Sequence, residues 1–194
     1  MVGTKGAETS ARLVESMLEL IQRHGYAGTG LNAVVEHADA PKGSLYFHFP
    51  EGKEALGAKA VELAAARFGA LVTDAAADLT PGESVRRVLE VLGGMLADSD
   101  YTLGCPVSVV TLEMGAHNDR LRKACADAFE SWIAPLADLL VAHGRPRPAA
   151  RRTATAVVSM VEGAVIVSRA RRSTEPLRDA ADLLAPLLDA GTPS

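Results

Sequence analysis

Apolar residues recur at helical spacing along almost the whole chain, and no segment shows the alternation typical of a β-strand. Aromatic residues make up only 4% of the sequence, whereas Ala, Leu and Val are abundant. Clusters of glycine and proline, such as Pro81-Gly82 and Gly104-Cys105-Pro106, divide the pattern into separate helices. The sequence therefore predicts an all-α fold.

The first fifty residues contain three predicted helices, of which the second and third are short. The first runs from Ser10, with Thr9 or Ser10 as its N-cap, to His24-Gly25, where glycine can end a helix. The second begins near Gly30, and the third spans Lys42–Phe47. These are the proportions of a helix-turn-helix, whose second element enters the major groove of DNA.

The charge of the chain does not by itself favour a nucleic acid as partner. The net charge is -4, and residues 1–56 contain seven Asp and Glu against five Lys and Arg. Affinity for phosphate must therefore come from a few well-placed cations, amides and hydroxyls. Neither cysteine has a disulfide or metal-ligand spacing, and no nucleophile elbow, HExxH or phosphate loop occurs. We predict no catalytic residue, no cofactor and no metal site.

The longest apolar stretch runs from Ala154 to Ser168 and includes Glu162. It is too short for a membrane span and predicts a buried helix instead. The N-terminus is too polar for a signal peptide, so we expect a cytoplasmic protein with no membrane partner.

One run of residues carries a specific resemblance. Pro41-Lys42-Gly43-Ser44-Leu45-Tyr46-Phe47-His48-Phe49-Pro50, followed by Lys53-Glu54-Ala55-Leu56, resembles the recognition-helix signature of the tetracycline-repressor (TetR) family. Gly52 and the later Gly104-Cys105-Pro106 are similar to the LmrA/YxaF-like branch, which contains the lincomycin-resistance repressors. The resemblance implies a helix-turn-helix DNA-binding domain over residues 1–52 and a ligand-binding and dimerisation domain over residues 53–194. It also implies a ligand-responsive repressor that binds a palindromic operator as a homodimer and is released by a small-molecule effector.

Eight residues are predicted to contact DNA: Thr29, Lys42, Gly43, Ser44, Tyr46, Phe47, His48 and Lys53. Lys42 offers a cation, Gly43 allows close backbone approach, and Ser44 can donate to a base edge or phosphate. The resemblance implies phosphate contacts for Tyr46 and His48, and phosphate contacts are also expected for Lys53 and Thr29. Phe47 either presses on a thymine methyl group or packs in the core.

Two positions depart from the family pattern. Gly30 stands where Ser or Thr usually caps the second helix, which removes a hydroxyl. Asp39 stands where glycine is common, although aspartate tolerates the left-handed conformation better than most residues.

The last two helices are predicted to form the dimer interface, because their apolar surface is too broad for one core. The residues concerned are Val157, Val158, Val161, Gly163, Ala164, Val165 and Val167, with Leu177, Leu183, Leu184 and Leu187. Burial within one subunit is the alternative.

The helices between Lys53 and His143 are predicted to enclose the ligand pocket, as the resemblance implies. Ten candidate lining residues are Phe68, Leu92, Met95, Cys105, Val109, Leu112, Glu113, Phe129, Trp132 and Glu162. A carboxylate such as Glu113 on an apolar helix needs a partner, which could be a ligand, an internal arginine or solvent.

The sequence allows four other interpretations. A hydrolase site would recruit Cys105, Glu113, His117 and Asp119, but these residues occupy ordinary loop and helix-end positions. A redox role for Cys105 lacks a neighbouring base or second thiol. A helical ligand-binding or adaptor protein with a vestigial DNA-reading head is the alternative function, and an activator would use the same fold.

Overall fold

The computed structural model describes residues 2–76 and 79–190, and nine α-helices lie within those ranges. They are α1 (Val2–Gly28), α2 (Leu31–His37), α3 (Lys42–His48), α4 (Lys53–Ala76), α5 (Pro81–Asp98), α6 (Pro106–Met114), α7 (Asp119–Ala142), α8 (Arg147–Arg171) and α9 (Glu175–Asp189). The all-α prediction is confirmed.

The chain forms two compact units, residues 1–66 with 105–128 and residues 67–104 with 129–194. This division by packing differs from the predicted functional boundary at 52/53, because α6 packs against α1. The functional boundary itself stays a prediction.

In the first unit, α1 contacts α2, α3 and α6. Its apolar stripe is fully buried at Leu13, Met17 and Ile21, because these positions recur on one helical face. The predicted start at Ser10 is wrong: helical backbone begins at Val2, since residues such as Ala7 and Glu8 favour helix and no proline interrupts them.

The predicted end of the first helix at Gly25 has a clear backbone signature. Gly25 has φ +75° and ψ 169°, a non-helical conformation within Val2–Gly28. Asp39 has φ +46° after α2, in agreement with its expected tolerance of that region. Gly30 is the N-cap of α2 and supplies no side-chain hydrogen bond.

The second unit is built on α5, α8 and α9, which contact one another. The N-terminus of α5 is closed by a capping box, in which the Thr80 hydroxyl accepts from Glu83 N and the Glu83 carboxylate accepts from Thr80 N. Gly82 lets α9 approach closely, and its N–H donates to Asp189 at 2.8 Å.

Helix α7 is capped by the residue that precedes it. The side-chain oxygen of Asn118 accepts from Leu121 N at 2.9 Å. Asp119 is the first helical residue, and its side chain is 95% exposed. Asparagine and aspartate are both good caps, so tertiary placement decides between adjacent residues.

Helix α8 is long and apolar enough to cross a membrane by length and composition alone. One such helix is weak evidence for a span, because core helices of water-soluble proteins pass the same test. In this fold, Val157, Val161 and Val165 of α8 are buried in the hydrophobic core of the second unit. The prediction of a buried helix is correct for that face.

Candidate functional site

Helix α3 presents one buried position and one exposed face. Leu45 is only 1% exposed, whereas Tyr46 is 63% and Phe47 81% exposed. Lys42 and Gly43 are also exposed. The helix is therefore held by a single inward anchor, and its other face is open to solvent. Phe49, directly after the helix, is buried.

The exposure of Phe47 excludes the packing interpretation of that residue in this subunit. Its ring meets the His48 ring edge to face, with 5.0 Å between the ring centroids. Single exposed apolar side chains are common on protein surfaces, so this exposure leaves Phe47 available to a partner but does not identify one.

Ser44 and His48 lie at the margin of the exposed face and are half-buried. The Ser44 hydroxyl donates to the carbonyl of Pro41 at 2.6 Å. Its proton is therefore already used inside the helix, and the oxygen is left as an acceptor toward any partner.

Thr29 is predicted to contact phosphate, but the structure buries it. The side chain is 2% exposed, and its hydroxyl donates to the Gly25 carbonyl at 2.7 Å. A buried hydroxyl with an internal partner cannot reach phosphate without local rearrangement. The structure gives Thr29 the role of closing the turn between α1 and α2.

Lys53, the first residue of α4, is half-buried and turned toward the α1–α2 turn. Its ammonium lies 4.4 Å from the centroid of the Tyr26 ring and 3.4 Å from the carbonyl oxygen of Ala27. Burial lowers the pKa of Lys53, and the nearby Glu113 carboxylate opposes that shift. A phosphate contact from Lys53 would have to compete with these neighbours.

Glu113 finds a partner that the sequence did not suggest. Its carboxylate accepts from the backbone N–H of Ala27 at 2.7 Å, so α6 is tied to the α1–α2 turn. Arg120 of α7 pairs with Glu51, which precedes α4. The pairing lowers the pKa of Glu51 and raises that of Arg120.

An apolar cavity of about 440 Å³ lies within the second unit. Its lining has eleven apolar residues and three polar ones: Phe68, Val72, Val85, Val88, Trp132, Pro135, Leu136, Leu139, Val157, Val158 and Val161, with Thr73, Ser84 and Glu162. The volume falls in the range of small-molecule sites, about 300–1,000 Å³.

Three of the ten predicted ligand residues, Phe68, Trp132 and Glu162, belong to this lining. Phe129 is not part of the lining, but its ring packs edge-on against the Trp132 ring, with 5.5 Å between the ring centroids.

The other six predicted ligand residues lie outside the cavity lining. Leu92 packs against the core of the second unit, and Met95 is 52% exposed. Cys105, Val109, Leu112 and Glu113 belong to α6 or its N-cap, which packs with the first unit. The resemblance implied a pocket between the helices that carry these residues, but it could not assign each helix to one unit. Cys125 is buried, and burial raises the pKa of its thiol.

Two family profiles match this chain. The profile described as bacterial regulatory proteins of the tetR family matches residues 13–60, which include α2 and α3. A profile described as the C-terminal domain of LmrA/YxaF-like transcriptional regulators matches residues 81–183. The chain is a member of the TetR family. Both the family and the LmrA/YxaF-like branch predicted from the sequence are confirmed.

Sequence similarity to other regulators covers most of this TetR-family chain. The HTH-type transcriptional regulator LmrA of Bacillus subtilis is 30% identical over 93% of this chain and 97% of its own. An uncharacterised HTH-type transcriptional regulator of Mycobacterium tuberculosis is 32% identical over 86% of this chain and 87% of its own.

Solved TetR-family structures share the fold. A TetR transcriptional regulator from Chloroflexus aurantiacus superposes with a TM-score of 0.80 at 28% identity, covering 96% of this chain and 97% of its own. A regulatory protein TetR from Rhodobacter sphaeroides gives a TM-score of 0.80 at 26% identity, covering 91% and 96%. The chain is therefore a TetR-family transcriptional regulator with an N-terminal helix-turn-helix and a C-terminal domain, and proteins of this class are not enzymes.

Proposed function

We propose that this chain is a cytoplasmic, ligand-responsive repressor that binds a palindromic operator as a homodimer and is released by a small molecule. The observation that carries the proposal is the exposed face of α3, where Tyr46 and Phe47 face solvent beside the single buried anchor Leu45. Aromatic side chains held in that way on a helix-turn-helix are available to base edges and phosphates.

The proposed DNA-contact set is Lys42, Gly43, Ser44, Tyr46, Phe47, His48 and Lys53. Lys42 supplies charge, and Tyr46 and His48 hydrogen-bond phosphates. Phe47 presses on a thymine methyl group. Because these residues include few cations, we expect a shallow dependence of affinity on salt compared with strongly basic DNA-binding proteins.

The proposed dimer interface is the outer face of α8 and α9. Ile166 and Val167 of α8 are 48% and 44% exposed, and Leu183 and Leu187 of α9 are 62% and 53% exposed. Six other residues expected at the interface are instead buried within the subunit: Val157, Val161, Ala164, Val165, Leu177 and Leu184. The proposal therefore assigns the interface to the exposed face of each helix and intramolecular packing to the buried face.

The proposed effector site is the apolar cavity, and the proposed mechanical link is α4. Phe68 and Val72 of α4 line the cavity, and the same helix begins at Lys53 beside the α1–α2 turn. An effector that binds more tightly to one position of α4 changes the distance between the two α3 helices of the dimer. It can act only through its difference in affinity between the two conformers, typically about 1–3 kcal/mol.

A band-shift assay on DNA upstream of the protein's own coding sequence tests DNA binding. We expect specific retardation that weakens between about 50 and 200 mM salt. Lys42→Ala should weaken binding and reduce the salt slope by about one, while Lys59→Ala, an exposed α4 lysine paired with Glu62, is the matched control. Absence of retardation at low salt contradicts the repressor and favours the adaptor function.

Sedimentation analysis tests the dimer face. Leu187→Glu should produce monomers, because it introduces a charge into a buried apolar contact. Leu112→Glu is the control, since Leu112 is 78% exposed on α6 and outside the proposed face. Equal dimer stability in both variants would contradict the proposed interface.

A further inference from the structure

The loop between α5 and α6 (residues 99–105) contains a backbone conformation that its own residues disfavour. Asp100 and Tyr101 have φ values of +52° and +59°, in the left-handed region. A helix-ending motif accounts for Asp100, because its N–H donates to the Ala97 carbonyl while the Tyr101 N–H donates to the Leu96 carbonyl. That motif does not require a positive φ at Tyr101, where a bulky side chain makes it costly. The conformation therefore needs support from other residues.

Two arginines at the C-terminal end of α8 supply that support. The Arg169 guanidinium donates to the carbonyl of Tyr101 at 3.4 Å and to that of Thr102 at 3.1 Å. Arg172 pairs with the Asp100 carboxylate, and its guanidinium carbon lies 5.8 Å from the centroid of the Tyr101 ring. A guanidinium carries several donors in one plane, so Arg169 holds two consecutive carbonyls at once.

Gly104 makes room for Arg169. A Cβ at position 104 would lie 2.5 Å from Nη1 of Arg169 and 3.2 Å from its Cζ. A side chain fits there only if the guanidinium moves away, so the glycine permits the arginine contact. The structure thus gives a physical reason for the glycine of the Gly104-Cys105-Pro106 motif.

The loop leads directly into α6, which carries Glu113. Helix α6 begins at Pro106, and Glu113 accepts from the Ala27 N–H within the first unit. Helix α8, which carries Arg169, also contributes residues such as Val161 to the lining of the apolar cavity. Helix α8 therefore contacts both the cavity and the loop that precedes α6.

We propose that Arg169 is a positioning residue for operator binding: together with Arg172 it holds the α5–α6 loop, and so keeps α6 where Glu113 supports the α1–α2 turn. The inference rests on the proposed operator and effector functions, and it adds to the α4 link a second route that runs through α8. Strain at Tyr101 favours release of the loop, and the two arginines oppose that release. An effector that displaces the C-terminal end of α8 would release the loop and weaken DNA binding.

Two substitutions break the arginine contact in different ways. Arg169→Met removes both hydrogen bonds and keeps a long side chain, whereas Gly104→Ala leaves the arginine in place and puts a Cβ where its Nη1 lies. Arg171→Met is the matched control, because Arg171 lies two residues from Arg169 and pairs with Glu175 instead. All variants are compared as full-length, folded protein without effector.

Hydrogen exchange and operator affinity are the two measurements. In Arg169→Met and in Gly104→Ala we expect faster exchange over residues 99–114 and 25–29, unchanged exchange elsewhere, and a loss of operator affinity of about fivefold. Because both substitutions remove the same contact, the double variant should lose no more affinity than either single variant. Additive losses, or an equal loss in Arg171→Met, would overturn the inference.

The two measurements also separate this inference from the proposed function. Unchanged exchange over residues 99–114 in both variants would show that Arg169 does not hold the loop and would overturn the inference. Faster exchange there with unchanged operator affinity would also overturn it and leave the repressor function intact. If the unchanged protein binds no operator, the proposed function fails, and exchange over residues 25–29 decides: faster exchange supports the route from the loop to the α1–α2 turn, and unchanged exchange contradicts it.

Discussion

The carboxylate of Glu113 accepts a hydrogen bond from the backbone N–H of Ala27 at 2.7 Å, although 86 residues separate them in sequence. The contact lies next to Gly25, where the helical conformation of α1 is interrupted. A side chain of α6 therefore holds the turn that leads into α2.

Gly25→Ala should destabilise the protein by about 2 kcal/mol or more. The residue has φ +75° and ψ 169°, a region essentially restricted to glycine that costs other residues about 1–3 kcal/mol, and an added Cβ would clash with the Glu113 carboxylate. Urea unfolding of the purified variants measures the change. Gly94→Ala is the control, because a Cβ at that helical position meets open space, and it should be neutral or slightly stabilising.

The double variant Gly25→Ala/Glu113→Ala separates the two causes. Removing the carboxylate should abolish the steric clash, so the remaining loss of stability reports the backbone strain at residue 25. If Gly25→Ala alone is as stable as the unchanged protein, the turn adopts another conformation and the contact described here is absent.

Thr29→Val should lower the free energy of unfolding by about 1–2 kcal/mol, because the Gly25 carbonyl loses its hydroxyl partner in a buried site. We expect the affinity of the folded variant for operator DNA and its salt slope to stay unchanged, as measured by titration at several salt concentrations. A fall in affinity with unchanged stability would support the phosphate contact that was expected for Thr29 from the sequence.

Asn118→Ala should destabilise the protein by about 1 kcal/mol through loss of the α7 cap. The adjacent Asp119→Ala should have a clearly smaller effect, because that side chain is exposed and pairs only with Arg122 three residues along the helix. Thermal unfolding of the two variants side by side checks the order. The reverse order would place the cap at Asp119.

Stability should fall as pH rises from about 10 to 12, partly through Tyr26. Burial raises the pKa of its hydroxyl from 10.0 to about 12, and the charge of Glu54 adds to the shift. The folded state thus holds a proton that the unfolded chain releases. The resulting stabilisation is complete below pH 10 and is lost as pH approaches 12.

Tyr26→Phe removes this titration, so its unfolding free energy should depend less on pH across that range than that of the unchanged protein. Tyr46→Phe, at an exposed position, is the matched control and should leave the pH profile unchanged. Parallel profiles for the unchanged protein and Tyr26→Phe would contradict the proposed linkage.

The sequence by itself determined the helices and the orientation of α3. Local periodicity leaves Leu45 as the one inward position of that helix, so the exposure of Lys42 and Tyr46 follows from spacing alone. The motif from Pro41 to Leu56 likewise identified the family, because it is specific and contiguous.

Only the tertiary structure decided which apolar faces meet. It buried Thr29, brought Glu113 to Ala27, and placed α6 with the first unit, so that none of the predicted α6 residues lines the cavity. It also divided α8 and α9 into an inner face and an outer one. Periodicity marks a face as apolar but does not name its partner, because that choice depends on packing between residues far apart in the chain.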